Sequence, residues 1–543
     1  MKFFNTAGPV NRPQHYKVDP LHRWNLDEVL SLIQEEKYFI LHAPRQTGKT
    51  SSLLALQEYL NNEGKYLAVY ANVEAGQASR NDIKSAMKAI ITEIANRLAF
   101  LMKDNNIFDA LLEVFSKTEA ENGLNSVISY ICSHYNKPVV LFIDEIDALV
   151  GDTLISVLRQ LRAGYDKRPV AFPSTIILCG VRDIKDYRIQ TSGQDIITGG
   201  SAFNIKAKSL RLGNFSKEDV INLYTQHTSE TGQKFEEACF DLVMSYTDGQ
   251  PWLVNALAYE VTSEIRENRN RSITITPQML EIAKERLILS RQTHLDQLAD
   301  KLKEDRVRRL ILPMIMGEEF EYNQDDANYC SDLGLIKKTG NSFQIANAIY
   351  KEIIPRELTE VSQENFLARY RPDWVNADGS INTNTLLTLF KDFWNDNSGI
   401  WASHIAGYQE AAPQLITQAF LQRVANGNGF INREYGVSRK RTDLMLKWSY
   451  SLNNQIHYQK VVMELKVINE RYSFEKVRQE ALIQTAEYAR ICGSDEAHIL
   501  IFDRNNTQKW SATEPNELTE YDGVKLEIWK FSDNWSKTER KRR

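Results

Sequence analysis

The stretch Ala43-Pro-Arg-Gln-Thr-Gly-Lys-Thr50 constrains the fold of this chain more than any other. An apolar run, Lys37-Tyr-Phe-Ile-Leu41, precedes it, and Ser51-Ser-Leu-Leu-Ala-Leu56 continues it with a helical pattern. A strand, a tight loop ending in Gly-Lys-Thr and a helix make up the loop that wraps phosphate groups. Backbone N–H groups and the positive helix end supply the grip. Pro44, Arg45, Gln46, Thr47, Gly48, Lys49, Thr50 and Ser51 are therefore candidate nucleotide contacts. Lys49 would reach the β- and γ-phosphate oxygens, and the Thr50 hydroxyl would ligate Mg2+. Alanine stands at position 43, where the pattern has its first glycine.

Such a loop belongs in a parallel α/β sheet, and the first part of the chain alternates strand-like and helical segments as that requires. Tyr66 to Tyr70, Pro138 to Ile143 and Ser174 to Cys179 are expected strands, and about Ser79 to Phe115 one long helical stretch. The Pro138 strand runs into Asp144-Glu145, and carboxylates at the carboxyl end of a central parallel strand face the phosphate crevice. Asp144 would hold Mg2+ through water, and Glu145 would polarise the attacking water as general base. Arg182, after the next strand, would lie beside the γ-phosphate. Arg159 and Arg162, at helical spacing, could reach a neighbouring subunit's nucleotide but read better as a solvated face.

The length of 543 residues suggests three or four domains. A net charge of −5 excludes a broadly basic surface, so any contact with nucleic acid must be local. Cys132, Cys179, Cys239, Cys330 and Cys492 show no paired spacing, which fits a reducing compartment and leaves no zinc motif. The start lacks the apolar core of a signal peptide and no run reaches membrane-spanning length, so a cytoplasmic protein with no membrane partner is expected. Asn214 to Asn268 turns helical, with a break at Gly249-Gln-Pro251, and Asp332 to Ile345 places a Thr-Gly-Asn turn between two apolar runs, as a winged helix would. Gln363 to Asn397 reads as a connector. The expected boundaries are 1–213, 214–285, 286–358, 359–398 and 399–543.

A second constellation lies near the C-terminus. Tyr458 to Met463 reads as a strand running into Glu464-Leu-Lys466, and residues two apart on a strand share a side. Asp443 sits on a preceding strand, with Ser449 to His457 as an expected hairpin loop, so antiparallel pairing could bring Asp443 beside Glu464. Two carboxylates of this kind take Mg2+ or Mn2+, and the metal would activate water against a phosphodiester. Lys466 would orient that water or stabilise the phosphorus. Glu410, on an expected helix, is an extra candidate ligand. Arg433, Arg439, Lys440 and Arg441 could hold a phosphate backbone or could be a solvated strand edge.

Phe4-Asn-Thr-Ala-Gly-Pro9, the Ala43–Thr50 loop, Asp332-Leu-Gly-Leu-Ile336, Ile345-Ala-Asn-Ala-Ile-Tyr350 and Ile354-Pro-Arg-Glu-Leu358 together resemble the bacterial AAA-like ATP-binding proteins. The resemblance spans about Met1 to Leu358. It implies an ATPase core with ATP as cofactor, a helical lid and a winged helix, similar to the signal-transduction (STAND) and origin-recognition ATPases. It also implies a nucleotide contact at Gly249 and Pro251. The order of elements from Gly399 to Phe531 resembles a PD-(D/E)XK nuclease domain with a mixed sheet. That resemblance implies Glu410, Asp443, Glu464 and Lys466 as site residues, with Gln484 and Tyr488 matching a Gln-x-x-x-Tyr helix. The expectation is an ATP-controlled, metal-dependent nuclease acting on DNA rather than RNA, with a protein activator and homo-oligomers as further expected partners. A role in bacterial defence or mobile-element biology rests on the resemblance alone. Two alternatives stand beside it: an ATPase switch whose C-terminal domain binds nucleic acid or a partner without cutting, and a DNA translocase.

Overall fold

The computed structural model describes residues 2–10, 13–190, 196–290, 300–316, 321–340, 342–358, 374–404, 413, 415–417, 420–421, 429–432, 443–452, 455–468, 473–503, 508, 510–511 and 515–532. The chain forms two compact units, Met1–Ser290 with Asn328–Ala348, and Arg291–Ala327 with Ile349–Arg543.

The first unit is built on β1 (Tyr38–His42), β2 (Leu67–Asn72), β3 (Val139–Asp144), β4 (Thr175–Gly180) and β5 (Lys206–Arg211), all parallel in the order β2-β3-β4-β1-β5. Its central strands are apolar throughout because helices cover both faces. Tyr38, Ile40, Val69, Leu141 and Leu178 pack into the core shared with α2 (Ile83–Met102) and α3 (Asn106–Ser116). Phe39, Leu41, Ala68, Phe142 and Ile177 pack to the opposite side, against Leu53, Leu56 and Leu60 of α1 (Lys49–Glu63). The alternation is the two-residue period of a strand, read out on two buried faces.

The single helix expected over Ser79 to Phe115 is two helices. Lys103 takes a left-handed conformation (φ 53°) and closes α2, with its N–H on the Ala99 carbonyl. Asp104 then accepts the Asn106 N–H at 2.9 Å as the next helix starts. Asp and Asn compete with helical hydrogen bonding through their own side chains, so apolar periodicity on either side of them does not carry the helix through.

The helical part of this unit comprises α4 (Lys217–Thr231), entered through a capping box of Ser216 and Asp219, α5 (Glu237–Thr247) and α6 (Pro251–Tyr259). Pro251 occupies the first turn of α6, and the Gln250 side chain caps Leu253. Phe4 and Tyr16 insert into this helical core beside Tyr224 and Val254. β6 (Ile336–Thr339) and β7 (Ser342–Ile345) form an antiparallel hairpin that belongs to the same unit.

The second unit carries β8 (Gly429–Asn432), β9 (Asp443–Leu452), β10 (Gln455–Ile468), β11 (Glu496–Asp503), β12 (Glu517–Tyr521) and β13 (Val524–Ser532), in the mixed order β8-β9-β10-β11-β13-β12. β10, β11 and β13 are mutually parallel, and the outer pairs antiparallel. One face packs on α7 (Thr383–His404), the other on α8 (Phe474–Cys492). The expected connector 359–398 is thus helical from Thr383 onward. Asn382 accepts the Thr385 N–H at 3.0 Å and starts the helix, and Leu386, Leu387, Phe390, Phe393 and Trp394 give it a buried face. Aromatic content suggested a linker, but 3.6-residue spacing makes it a packing stripe. Trp394 and Trp448 are buried.

The loop expected over Ser449 to His457 is mostly strand. Pairing runs from Asp443↔Glu464 out to Leu452↔Gln455, with Tyr450 and His457 stacked 5.6 Å apart. The Tyr450–His457 ring pair is a cross-strand contact of the kind that stabilises such a hairpin.

Candidate functional site

The Ala43–Thr50 loop leaves β1 and enters α1 at Lys49. Gln46 (φ 56°) and Gly48 (φ 89°) adopt positive φ, which turns the loop back on itself. At Gly48 a side chain would be strained and would meet the Arg23 guanidinium at 2.6 Å. Thr47 Oγ1 donates to the Pro44 carbonyl at 2.8 Å, and Lys49 Nζ donates to the carbonyls of Ala43 (2.9 Å) and Pro44 (3.1 Å). Arg45 and Gln46 are exposed at the loop tip.

Thr50 Oγ1 donates to Asp144 Oδ2 at 2.7 Å, joining the loop to the end of β3. Tyr70 of β2 donates its hydroxyl to the same oxygen at 2.9 Å. Asp144 is fully buried and also accepts the Glu145 N–H on Oδ1. Glu145 has φ 58°, a strained value for a non-glycine residue. Burial pushes the Glu145 carboxyl above its usual range; Asp147 adds to this and Lys49 opposes it. Asp147 in turn accepts the Val181 N–H at 3.1 Å, tying the Glu145 turn to the end of β4. A hydroxyl and a carboxylate converging beside a lysine fit Mg2+ with a polyphosphate: Thr50 and Asp144 would hold the ion, and Lys49 the phosphates.

Arg182 follows β4, the strand between the Asp144 strand and the loop strand. Its Nη2 donates to the Asp186 carbonyl at 2.9 Å, and its Nε lies 3.9 Å from Asp332 Oδ2. Arg159 and Arg162 are exposed, and Arg162 donates to the Ser201 carbonyl.

In the second unit, the backbone of Asp443 lies directly opposite Glu464 in the β9–β10 ladder. Glu464 is fully buried (0% exposed), with Lys466 Nζ 2.7 Å from its Oε1. The same Nζ donates to Gln484 Oε1 on α8 at 2.7 Å. Tyr488 packs into the apolar core beneath α8. The Asp443 side chain, Glu410, Arg433, Arg439, Lys440 and Arg441 lie outside the described residues. Among the described residues, no group of three His, Cys, Asp or Glu side chains could hold a metal ion.

Residues 27–355 match the AAA-like domain family. The chain belongs to it. In solved structures, this AAA-like protein is similar to the Walker-type ATPase of Pyrococcus abyssi (14% identity, 65% of this chain and 99% of that one, TM-score 0.42). It is also similar to Cdc6p from Pyrobaculum aerophilum (17%, 64% and 97%, TM-score 0.37) and to the RuvB Holliday junction branch migration motor of Thermotoga maritima (13%, 61% and 94%, TM-score 0.33). No curated protein matches the chain. Among the described residues, no helix is long and apolar enough to cross a membrane.

Beside the expected contacts Gln46, Gly48, Ser51 and Pro251, the structure places residues that the sequence reading did not single out. A cleft of about 110 Å³ opens beside the loop, lined by Asn5, Ala7, Arg23, Ser51, Phe215 and Pro251 among others. The N-terminal segment is held over it: Ser51 Oγ accepts the Val10 N–H at 3.0 Å, and Trp252 donates to the Thr6 carbonyl at 2.9 Å. Arg23 stacks over Phe215 at 4.8 Å and donates to the carbonyls of Thr47 and Gly213. Burial pushes its guanidinium down to about 10, with Asp219 opposing. Phe4–Pro9 was a signal in the sequence, but its placement depends on a contact with Trp252, more than two hundred residues away.

Proposed function

We propose that this AAA-like P-loop ATPase uses its nucleotide state to control a Mg2+- or Mn2+-dependent nuclease site in its second unit, with DNA as substrate. The observation that carries the reading is the Asp443↔Glu464 pairing with Lys466 Nζ poised between Glu464 and Gln484. Asp443 and Glu464 would hold the ion, with Glu410 as a further ligand. That ion would supply an activated water and neutralise phosphate charge. Lys466 would orient the water, and Gln484 would hold Lys466 in place. At the nucleotide site, Glu145 would take the proton of the attacking water and Arg182 would meet the terminal phosphate. Pro44 to Ser51, Asp144 and Pro251 would surround the nucleotide. Assembly into homo-oligomers, a protein activator and a role in defence or mobile-element biology belong to the same proposal.

The test is a cleavage assay on duplex DNA, single-stranded DNA and RNA, with Mg2+ or Mn2+, with and without ATP. Cleavage of DNA that is lost in Glu464→Gln and altered in Lys49→Ala supports the reading. Equal cleavage by wild type and Glu464→Gln sinks it.

A second reading rests on the same pair. A fully buried Glu464 already neutralised by Lys466 is also what a structural ion pair looks like. The second unit would then bind nucleic acid or a partner without cutting, and Glu464→Gln would change stability and affinity alone.

A further inference from the structure

The Asn328–Ala348 segment lies within the first unit and touches the nucleotide site at several points. Gly334, at φ 77°, brings its backbone so close to Pro44 of the phosphate loop that a Cβ would meet the proline ring at 2.9 Å. Arg211, at the end of β5, donates to Ser331 through both the hydroxyl (3.1 Å) and the carbonyl (2.7 Å). Lys337 pairs with Asp248, beside the turn that enters α6. At the centre of these contacts sits Asp332, 7% exposed, with His42 Nδ1 at 3.8 Å and Arg182 Nε at 3.9 Å. Arg182 also stacks over Tyr329 of the same segment at 4.8 Å.

The sheet order makes this placement consequential. Arg182 follows the strand between the Asp144 strand and the loop strand, and Ala43 N–H bonds the Gly180 carbonyl two residues before it. A cation there is within the field of a triphosphate held by Lys49 and Thr50, and it is paired with an internal carboxylate. Two anions cannot both hold one guanidinium at full strength in a site of low dielectric.

We propose that Asp332 is a latch on the ATPase site: its carboxylate holds Arg182 until the terminal phosphate of ATP competes it away, which loosens Asn328–Ala348 from the phosphate loop. ADP has no γ-phosphate at that position and leaves the latch closed. The segment therefore reports triphosphate against diphosphate, and it is Asp332-Leu-Gly-Leu-Ile336 that does so. Burial pushes the Asp332 carboxyl up to about 6, against the pull of Arg211 and Arg182 and with the repulsion of Asp186 and Asp183. An acid held this way is readily surrendered. The proposal rests on the nucleotide reading of the phosphate loop and is independent of any cleavage by the second unit.

The experiment measures affinities of full-length protein for fluorescent ADP and for a fluorescent non-hydrolysable ATP analogue with Mg2+. Asp332→Asn keeps the shape and removes the charge. It should tighten the ATP analogue ~5-fold or more while moving ADP less than ~2-fold, and Asp332→Glu should restore most of the wild-type ratio. In an Arg182→Gln background, Asp332→Asn should have no further effect. Gly334→Ala, which displaces the turn from Pro44 without touching either charge, should shift the ratio the same way and guards against a poorly folded Asp332→Asn. Hydrogen exchange over 328–348 should speed up with the ATP analogue and not with ADP. Equal changes for both nucleotides, or an unchanged ratio in Asp332→Asn and Gly334→Ala, would overturn the latch while leaving the ATPase reading intact. Failure of the wild type to bind either nucleotide would overturn both.

Discussion

The Tyr70 hydroxyl and Thr50 Oγ1 donate to the same oxygen, Asp144 Oδ2, at 2.9 and 2.7 Å. Thr50 is a first-turn residue of α1 that Mg2+ would recruit, whereas Tyr70 comes from the neighbouring strand, with the Arg97 guanidinium 5.2 Å above its ring. Tyr70 would therefore hold the carboxylate in place with Thr50 engaged by an ion. Tyr70→Phe removes only the hydroxyl. A hydrogen bond to a charged group contributes about 1.5–3 kcal/mol, so urea unfolding should show a loss of that order. Nucleotide turnover should need more Mg2+ for half-maximal rate. An unchanged Mg2+ requirement with unchanged stability would refute the positioning role.

Gly48 faces the half-buried Arg23 guanidinium and holds φ at 89°. Gly48→Val adds a branched side chain where one methyl group already collides, on top of a left-handed backbone costing about 1–2 kcal/mol. Nucleotide affinity should fall by ~10-fold or more, while the second unit keeps its own unfolding transition. Titration with a fluorescent nucleotide, alongside calorimetry, separates the two effects.

Lys466 and Glu464 form a buried pair, so removing one partner alone should hurt more than removing both. Lys466→Met leaves a carboxylate buried without its cation, a change that typically costs about 3–5 kcal/mol. The double variant Glu464→Gln with Lys466→Met should recover much of that. A double variant no more stable than Lys466→Met would show that the pair is not coupled.

His498 lies on β11 with Glu496 and Glu527 each 3.4 Å away. Burial alone would lower its pKa, but hydrogen bonds to the two carboxylates raise it above the usual 6.5. A raised folded value means stability fully present below about 6.5 and lost as pH climbs through the raised value. Unfolding of the second unit, followed by tryptophan fluorescence from pH 6 to 9, should show falling stability over that range. The slope should flatten in His498→Gln. A slope that persists in the variant would move the effect to another group.

The share of the molecule that was legible in sequence is the local share. Ala43–Thr50 carries its turn chemistry between a strand and a helix that together run only from Tyr38 to Glu63, and Asp144 ends an apolar run that only a doubly covered strand can sustain. Asp443 and Glu464 were readable as a pair because one hairpin joins them. Asn382 to Trp394 misled for the opposite reason: aromatic residues suit a linker or a core equally until a sheet is placed beneath them.

What tertiary structure alone decided is the set of contacts made across long sequence separations. Tyr70 meets Asp144 across adjacent strands 74 residues apart, Trp252 meets Thr6, and Asp332 meets Arg182. No spacing rule encodes such meetings, because closing long loops depends on which faces pack and not on local order. The sequence supplied the candidate phosphate and metal ligands. The fold determined which other residues restrain them.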